Sequence, residues 1–124
     1  MQANEPTNQR RASVRTNLLS VNASLSSDEV NWHEITANDI SATGIGFVSQ
    51  LDLQPGDKLK LVGEAFDHTH TQDISCETTI IFKASESDGY LYGACFCKMD
   101  KKNKTELAVF IDKAITKYPS LFVD

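Results

Sequence analysis

No apolar run in this 124-residue chain approaches the roughly 20 residues needed to cross a bilayer, which argues against a membrane-spanning helix. Cysteine is scarce as well. Cys76, Cys95 and Cys97 are odd in number and match neither a disulfide framework nor a zinc-ligand spacing. The first residues lack the hydrophobic stretch of a secretory signal, so the expected environment is a reduced cytoplasm, and any contact with a membrane is expected through a partner. Only six glycines and three prolines are present, in keeping with one ordinary globular domain. The length suits one domain, able to bury roughly two-thirds of the surface its unfolded chain exposes without staples or a structural metal.

Positive charge is the next thing in short supply. Twelve basic residues face seventeen acidic ones, and the net charge of -5 repels polyanions, which argues against a DNA or RNA coat protein. The deficit is unevenly distributed. All three arginines, Arg10, Arg11 and Arg15, fall within six residues, while the nine lysines run from Lys58 to Lys117. Three arginines against Glu5 leave residues 1–15 at +2, and nine lysines against sixteen acids leave the remaining 109 residues at -7. A small cationic arm therefore precedes an acidic body.

Residues 1–9 are polar and aperiodic, so the segment 1–16 is expected to be a flexible, arginine-bearing arm. From Leu19 the pattern changes: Leu19, Val21, Ala23 and Leu25 alternate with Ser20, Asn22 and Ser24, the period of a half-buried strand. A second extended run is expected from Val30 through Trp32 and Ile35 to Ile40, a turn at Ala42-Thr43-Gly44, and a third strand through Ile45, Phe47 and Val48. Pro55-Gly56 marks another turn, and Lys58 to Val62 another strand. After a polar loop, Asp67 to Asp73, the runs Ile74–Ala84 and Tyr90–Lys98 predict a hairpin. The period then lengthens. Leu107, Phe110, Ile111, Ala114, Ile115 and Tyr118 form the stripe of an amphipathic helix, with Asn103 as its N-cap, Glu106 in its first turn and Pro119 as its stop. The expected architecture is mainly β: a small antiparallel barrel of six or seven strands over residues 17–100, sealed by a C-terminal helix within 101–124.

Enzyme chemistry finds little support. His33 lies in a strand pattern with no Ser or Cys nucleophile arranged around it, and the carboxylates are scattered. Asp67-His68-Thr69-His70 reads as an exposed loop rather than a metal site, and Cys95 and Cys97 as reduced core residues on one face of a strand. No catalytic residue, cofactor or metal is assigned.

Two clusters remain: Arg10-Arg11-Ala12-Ser13-Val14-Arg15 before the first strand, and Asp39-Ile40-Ser41-Ala42-Thr43-Gly44 at a strand turn. Separately, each reads as a common feature, a solvated basic tail and a turn in which Asp and Ser bond nearby backbone. In this order, followed by Ile45-Gly46-Phe47 and by Tyr90-Leu91-Tyr92-Gly93-Ala94-Cys95-Phe96 in a late strand, they resemble the PilZ family of bacterial cyclic di-GMP receptors. Arg11 and Arg15 match that family's RxxxR arm, with Arg10 an added basic residue, and Asp39, Ser41 and Gly44 match its (D/N)xSxxG motif.

The resemblance implies a dianionic ligand with two phosphodiesters and two guanines. Guanidinium groups suit both, because their planar fork binds phosphate or the edge of guanine in bidentate fashion and stacks on the base. Arg11 and Arg15 are accordingly expected on phosphate and guanine edges, and Arg10 on a second base. Asp39 would accept from a guanine, Ser41 would reach a phosphate or base atom, and Gly44 would turn the backbone close to the ligand. Arg10 favours two stacked ligands per chain. Binding is expected to order the arm and signal to a separate protein, or a second copy, in motility, adhesion or biofilm control. The alternatives are a PilZ-like adaptor independent of the nucleotide and a single-strand nucleic-acid barrel, which the acidic body disfavours.

Overall fold

The computed structural model describes residues 13–15, 19–67 and 69–117, and side chains over 19–37, 39–67 and 69–114. Among the described residues, seven strands are followed by one helix: β1 (Ser13–Arg15), β2 (Ser20–Ser26), β3 (His33–Ser41), β4 (Gly44–Ser49), β5 (Lys58–Phe66), β6 (Thr71–Glu86), β7 (Gly89–Met99) and α1 (Lys101–Lys117). All pairings are antiparallel, in the order β3-β2-β5-β6-β7-β4, and β4 returns to β3, so six strands close a barrel. The seventh, β1, pairs with the end of β3: Ser13 opposite Ser41, Val14 opposite Ile40 and Arg15 opposite Asp39. The barrel matches the sequence expectation. Ser13–Arg15, assigned above to the arm, instead form a strand of the sheet.

Alternation explains the closure. Leu19, Val21, Ala23 and Leu25 of the first predicted strand are buried, as are Ile45 and Phe47 of β4, Leu59, Leu61 and Ala65 of β5, Ile74, Cys76 and Ile80 of β6, and Tyr92 and Ala94 of β7. Their inward faces fill one interior, and Leu107, Ile111 and Ala114 of α1 join the same core, so the helix covers the barrel as its stripe predicted. Thr78 is the polar exception on the inner face, and its hydroxyl donates to the Cys95 carbonyl at 2.6 Å.

Four expectations need correction. The second extended run starts at His33 rather than Val30, because Asp28 closes a turn ahead of it: its Oδ1 accepts from the amides of Val30 (2.9 Å) and Asn31 (2.8 Å). These bonds favour the carboxylate and hold Asp28 well below the usual range, while Val30 and Trp32 are left exposed. The polar loop ends early, since β6 begins at Thr71; Asp67 Oδ1 accepts from the amides of Thr69 and His70, both at 2.8 Å, and so closes a tight bend. The helix begins at Lys101, and Asn103 is not its cap. The Asn103 side chain instead accepts from the Ser75 amide at 2.9 Å and donates to the Asp73 carbonyl at 2.6 Å, fastening α1 to the outer edge of β6. Cys97 is exposed, not core. Glu77 pairs with Lys98 and Thr78 with Phe96, so Cys97 is the extra residue of a β-bulge, and only Cys76 is fully buried.

Tyr92 fixes the long connection between β4 and β5. Its ring packs on Phe47 with centroids 5.3 Å apart, its hydroxyl donates to the Leu51 carbonyl, and the Leu53 amide donates to that hydroxyl at 2.9 Å. Asp52 of the same connection pairs with Lys83 of β6 at 2.6 Å, and the Lys83 ammonium lies 4.2 Å from the centre of the Tyr90 ring. The predicted Pro-Gly turn follows, closed by the Asp57 amide on the Gln54 carbonyl at 2.9 Å, with Gly56 at φ 97° where glycine is favoured.

Candidate ligand-binding site

The strand turn carrying the second motif is built by its own side chains. Ser41 Oγ accepts from the Thr43 amide at 3.2 Å, lies 3.2 Å from Thr43 Oγ1 and 3.4 Å from the Gly44 carbonyl, while the Thr43 carbonyl accepts from the Phe96 amide at 2.9 Å. Ser41 thus shapes the bend and remains only half-buried. Gly44 has a role other than the one expected. Its backbone is not left-handed; a Cβ there would collide with the Ala94 carbonyl, so this glycine lets β4 approach β7.

Asp39 lies half-buried on β3 with Ile40 beside it in the core, so it faces outward. Strand pairing places Arg15 directly opposite it, bringing the last residue of the arginine cluster to the first residue of the turn motif. Arg10 and Arg11 lie outside the described residues.

The same register continues across the sheet: Asp39 opposite Gly46, Gly46 opposite Gly93, and Gly93 opposite Phe82. Gly46 lies between the buried Ile45 and Phe47, and Gly93 between the buried Tyr92 and Ala94, so both present bare backbone to the outside. A Cβ on Gly46 would lie 3.6 Å from Asp39 Oδ2, and one on Gly93 3.3 Å from the Phe82 Cβ. An aspartate thus bounds one side of a strip without side chains, and Phe82, 50% exposed, bounds the other. The sequence reading missed Gly46, Gly93 and Phe82 as a group. The available signal was one glycine between inward-facing residues in each of two strands.

Two hollows elsewhere on the barrel suit a dianion poorly. One, about 1070 Å³, runs over β2, β3 and β5 to the end of β4 and carries Glu34, Glu64, Asp73 and Asp88, with no Lys or Arg among the described residues that line it. A second, about 360 Å³, gathers Lys58, Lys60 and Lys98, but shares them with Glu29 and with Glu77, which pairs Lys98 at 3.5 Å. Among the described residues, no group of His, Cys, Asp and Glu could hold a metal ion, and no helix is long and apolar enough to cross a membrane.

The sequence matches the PilZ domain over residues 9–113, which takes in the barrel, most of α1 and both motifs. The chain belongs to the PilZ domain family. PilZ domains are ligand-binding regulatory domains, and the family is one of cyclic di-GMP receptors and effectors. Among solved structures, the chain is similar to the Bacillus subtilis inhibitor of motility MotI/DgrA, with 17% identity, a TM-score of 0.69, and coverage of 81% of this chain and 50% of that one. It is also similar to K. pneumonia MrkH in its apo state, with 11% identity, a TM-score of 0.62, and coverage of 83% and 49% respectively. A third similar structure is MrkH described as a c-di-GMP-dependent transcription regulatory factor, with 10% identity, a TM-score of 0.62, and coverage of 84% and 48%. At these identities the likeness is one of fold, and this PilZ chain spans about half the length of the structures it matches. No curated protein matches the sequence.

Proposed function

We propose that this chain is a cyclic di-GMP receptor that holds its ligand with Arg10, Arg11, Arg15, Asp39 and Ser41. The observation that carries the reading is the register of β1 on β3, which sets Arg15 against Asp39 and so joins two motifs that lie 24 positions apart in the sequence. Guanidinium groups meet the phosphodiesters and one edge of guanine, and the Asp39 carboxylate accepts from the ring and amino N–H groups of its Watson–Crick edge. Gly44 contributes indirectly, by holding the β3–β4 turn tight against β7. Arg10, ahead of the arginine pair, supports a second ligand stacked on the first.

Binding would draw residues 1–12 toward the turn and reshape the surface around β1, and a partner in motility, adhesion or biofilm control would read that surface. This role is regulatory rather than catalytic, and cytoplasmic, where the second messenger is made. Calorimetric titration with cyclic di-GMP tests it directly: heat and a stoichiometry near two per chain are expected. Absence of heat and of amide chemical-shift changes at ligand concentrations of tens of micromolar would refute the receptor reading in favour of an adaptor that works without the nucleotide.

A further inference from the structure

The seam that closes the barrel is bonded over only part of its length. Ile40 pairs with Ile45, Asp39 with Gly46 and Ala37 with Phe47, and the β3–β4 ladder ends at Ala37. Among the described residues, His33–Thr36 of β3 pair on the β2 side alone, and Val48 and Ser49 of β4 on the β7 side alone. The separation has local causes. Between Ala37 and Asp39 the register shifts at a β-bulge, which bends β3. Past Phe47 the chain is held toward β7: Ser49 Oγ accepts from the Leu51 amide at 3.1 Å, and the Tyr92 hydroxyl bonds the Leu51 carbonyl and the Leu53 amide. The β6–β7 hairpin packs so close to Ser49 that a Cβ on Gly89 would strike its carbonyl. Ile35, Ala37 and Phe47 stay buried behind the opening, so it is a groove in the barrel wall that leaves the core sealed.

This groove opens into the hollow of about 1070 Å³, with Glu34, Ile35 and Thr36 on one bank and Val48, Ser49 and Gln50 on the other. Its charge has one sign. Glu34 from β3 and Asp88 from the β6–β7 hairpin line the hollow, as do Glu64 and Asp73 over β5 and β6, with no Lys or Arg among its described residues. Trp32, 40% exposed, immediately precedes the open edge of β3. An unpaired strand edge takes an extended chain by main-chain hydrogen bonding, and a field of one sign chooses the charge of that chain. An edge of four residues accommodates a short segment rather than a sheet. Nucleic acids, acidic membranes and a second copy of this net-negative chain are repelled by the same carboxylates.

We propose that the β3–β4 seam is a docking groove for a partner protein, which enters as an extended, Lys- or Arg-bearing segment. The segment adds its backbone to the edge of His33–Thr36 and sets alternate basic side chains toward Glu34 and Asp88. The open edge lies toward the start of β3, away from Asp39 and Ser41, so docking uses none of the residues assigned to the nucleotide and is expected with and without cyclic di-GMP.

The probe is a capped synthetic peptide, Lys-Val-Lys-Val-Lys-Val-Lys, titrated into the full chain and followed by amide chemical shifts. Shifts should centre on residues 33–36 and 48–50, with slowed hydrogen exchange there in the complex. The same peptide with Glu in place of Lys should leave these amides unmoved. N-methylation along the peptide backbone removes its donors and should weaken binding by about fivefold or more. Glu34→Lys, an exposed change, should weaken the Lys peptide by about tenfold while the melting temperature and cyclic di-GMP affinity stay at wild-type values. Unmoved seam amides at millimolar Lys peptide would overturn the docking groove, as would shifts centred elsewhere. Equal binding of the Glu peptide or of the N-methylated peptide would overturn it too, and so would wild-type peptide affinity in Glu34→Lys. A chain that binds the Lys peptide at the seam but no cyclic di-GMP would refute the receptor reading and leave the groove standing.

Discussion

Tyr92 and Gly93 are consecutive residues of β7, yet they belong to opposite regimes of the molecule. Tyr92 points inward, packs on Phe47 and spends its hydroxyl on the backbone of Leu51 and Leu53. Gly93 points outward, opposite another glycine, and offers only peptide. The contrast shows how a small barrel separates stability from recognition. Strand alternation assigns one set of residues to filling the interior and the next set to the surface, so each can change without the other. A variant that shifts both properties strongly would break this separation.

The largest effect belongs to the interior. Phe47→Ala empties a fully buried aromatic position and should cost about 3–5 kcal/mol of stability in denaturant titrations. On the outer side, Arg15→Ala should lower cyclic di-GMP affinity by about 2 kcal/mol or more in calorimetry while the melting temperature stays put. Normal binding by that variant would place the site elsewhere. Gly44→Ala sharpens the comparison, because its residue belongs to the binding motif but its environment is packing: the new methyl meets the Ala94 carbonyl, and a loss of about 2 kcal/mol in stability is expected, with affinity retained by the folded fraction.

Smaller effects follow. Tyr92→Phe leaves the Leu53 amide and Leu51 carbonyl without their shared partner and should cost about 1 kcal/mol, with faster hydrogen exchange confined to residues 50–54. Burial pushes the Cys76 thiol up to about 12 from 9.0. The folded state therefore resists ionisation that the unfolded state permits, so this contribution to stability is intact below about pH 9 and lost as pH rises toward 12. Cys76→Ala should flatten that alkaline decline. Thiol reagents should label Cys97 first and Cys76 only on unfolding.

Much of the barrel was legible in the sequence because alternation is a local signal. Leu19 to Leu25, Ile45 to Phe47 and the long hairpin of β6 and β7 each declared which face was inside. Legibility failed where side chains served something distant or non-repeating. Val30 and Trp32 looked like strand residues, but Asp28 spends the chain there on a turn. Asn103 looked like a helix cap, but β6, 28 residues earlier, takes its side chain. The motif residues of the candidate site were recognisable as residue types, whereas their assembly was not. Nothing in the spacing of Arg15 and Asp39, or of Gly46, Gly93 and Phe82, announces that strand pairing sets them side by side, since register is decided by the whole sheet.

Closure of the six strands also decides how this molecule meets its neighbours. Much of the barrel's strand length is bonded on both sides, and where β6 runs past the end of β7 the Asn103 side chain takes the Ser75 amide and the Asp73 carbonyl, so the helix covers that stretch of edge. Beside them, β1 is an edge only three residues long, and the open edge of β3 only four. Long unpaired stretches of strand, the template for strand addition by another chain, are thus kept short or covered.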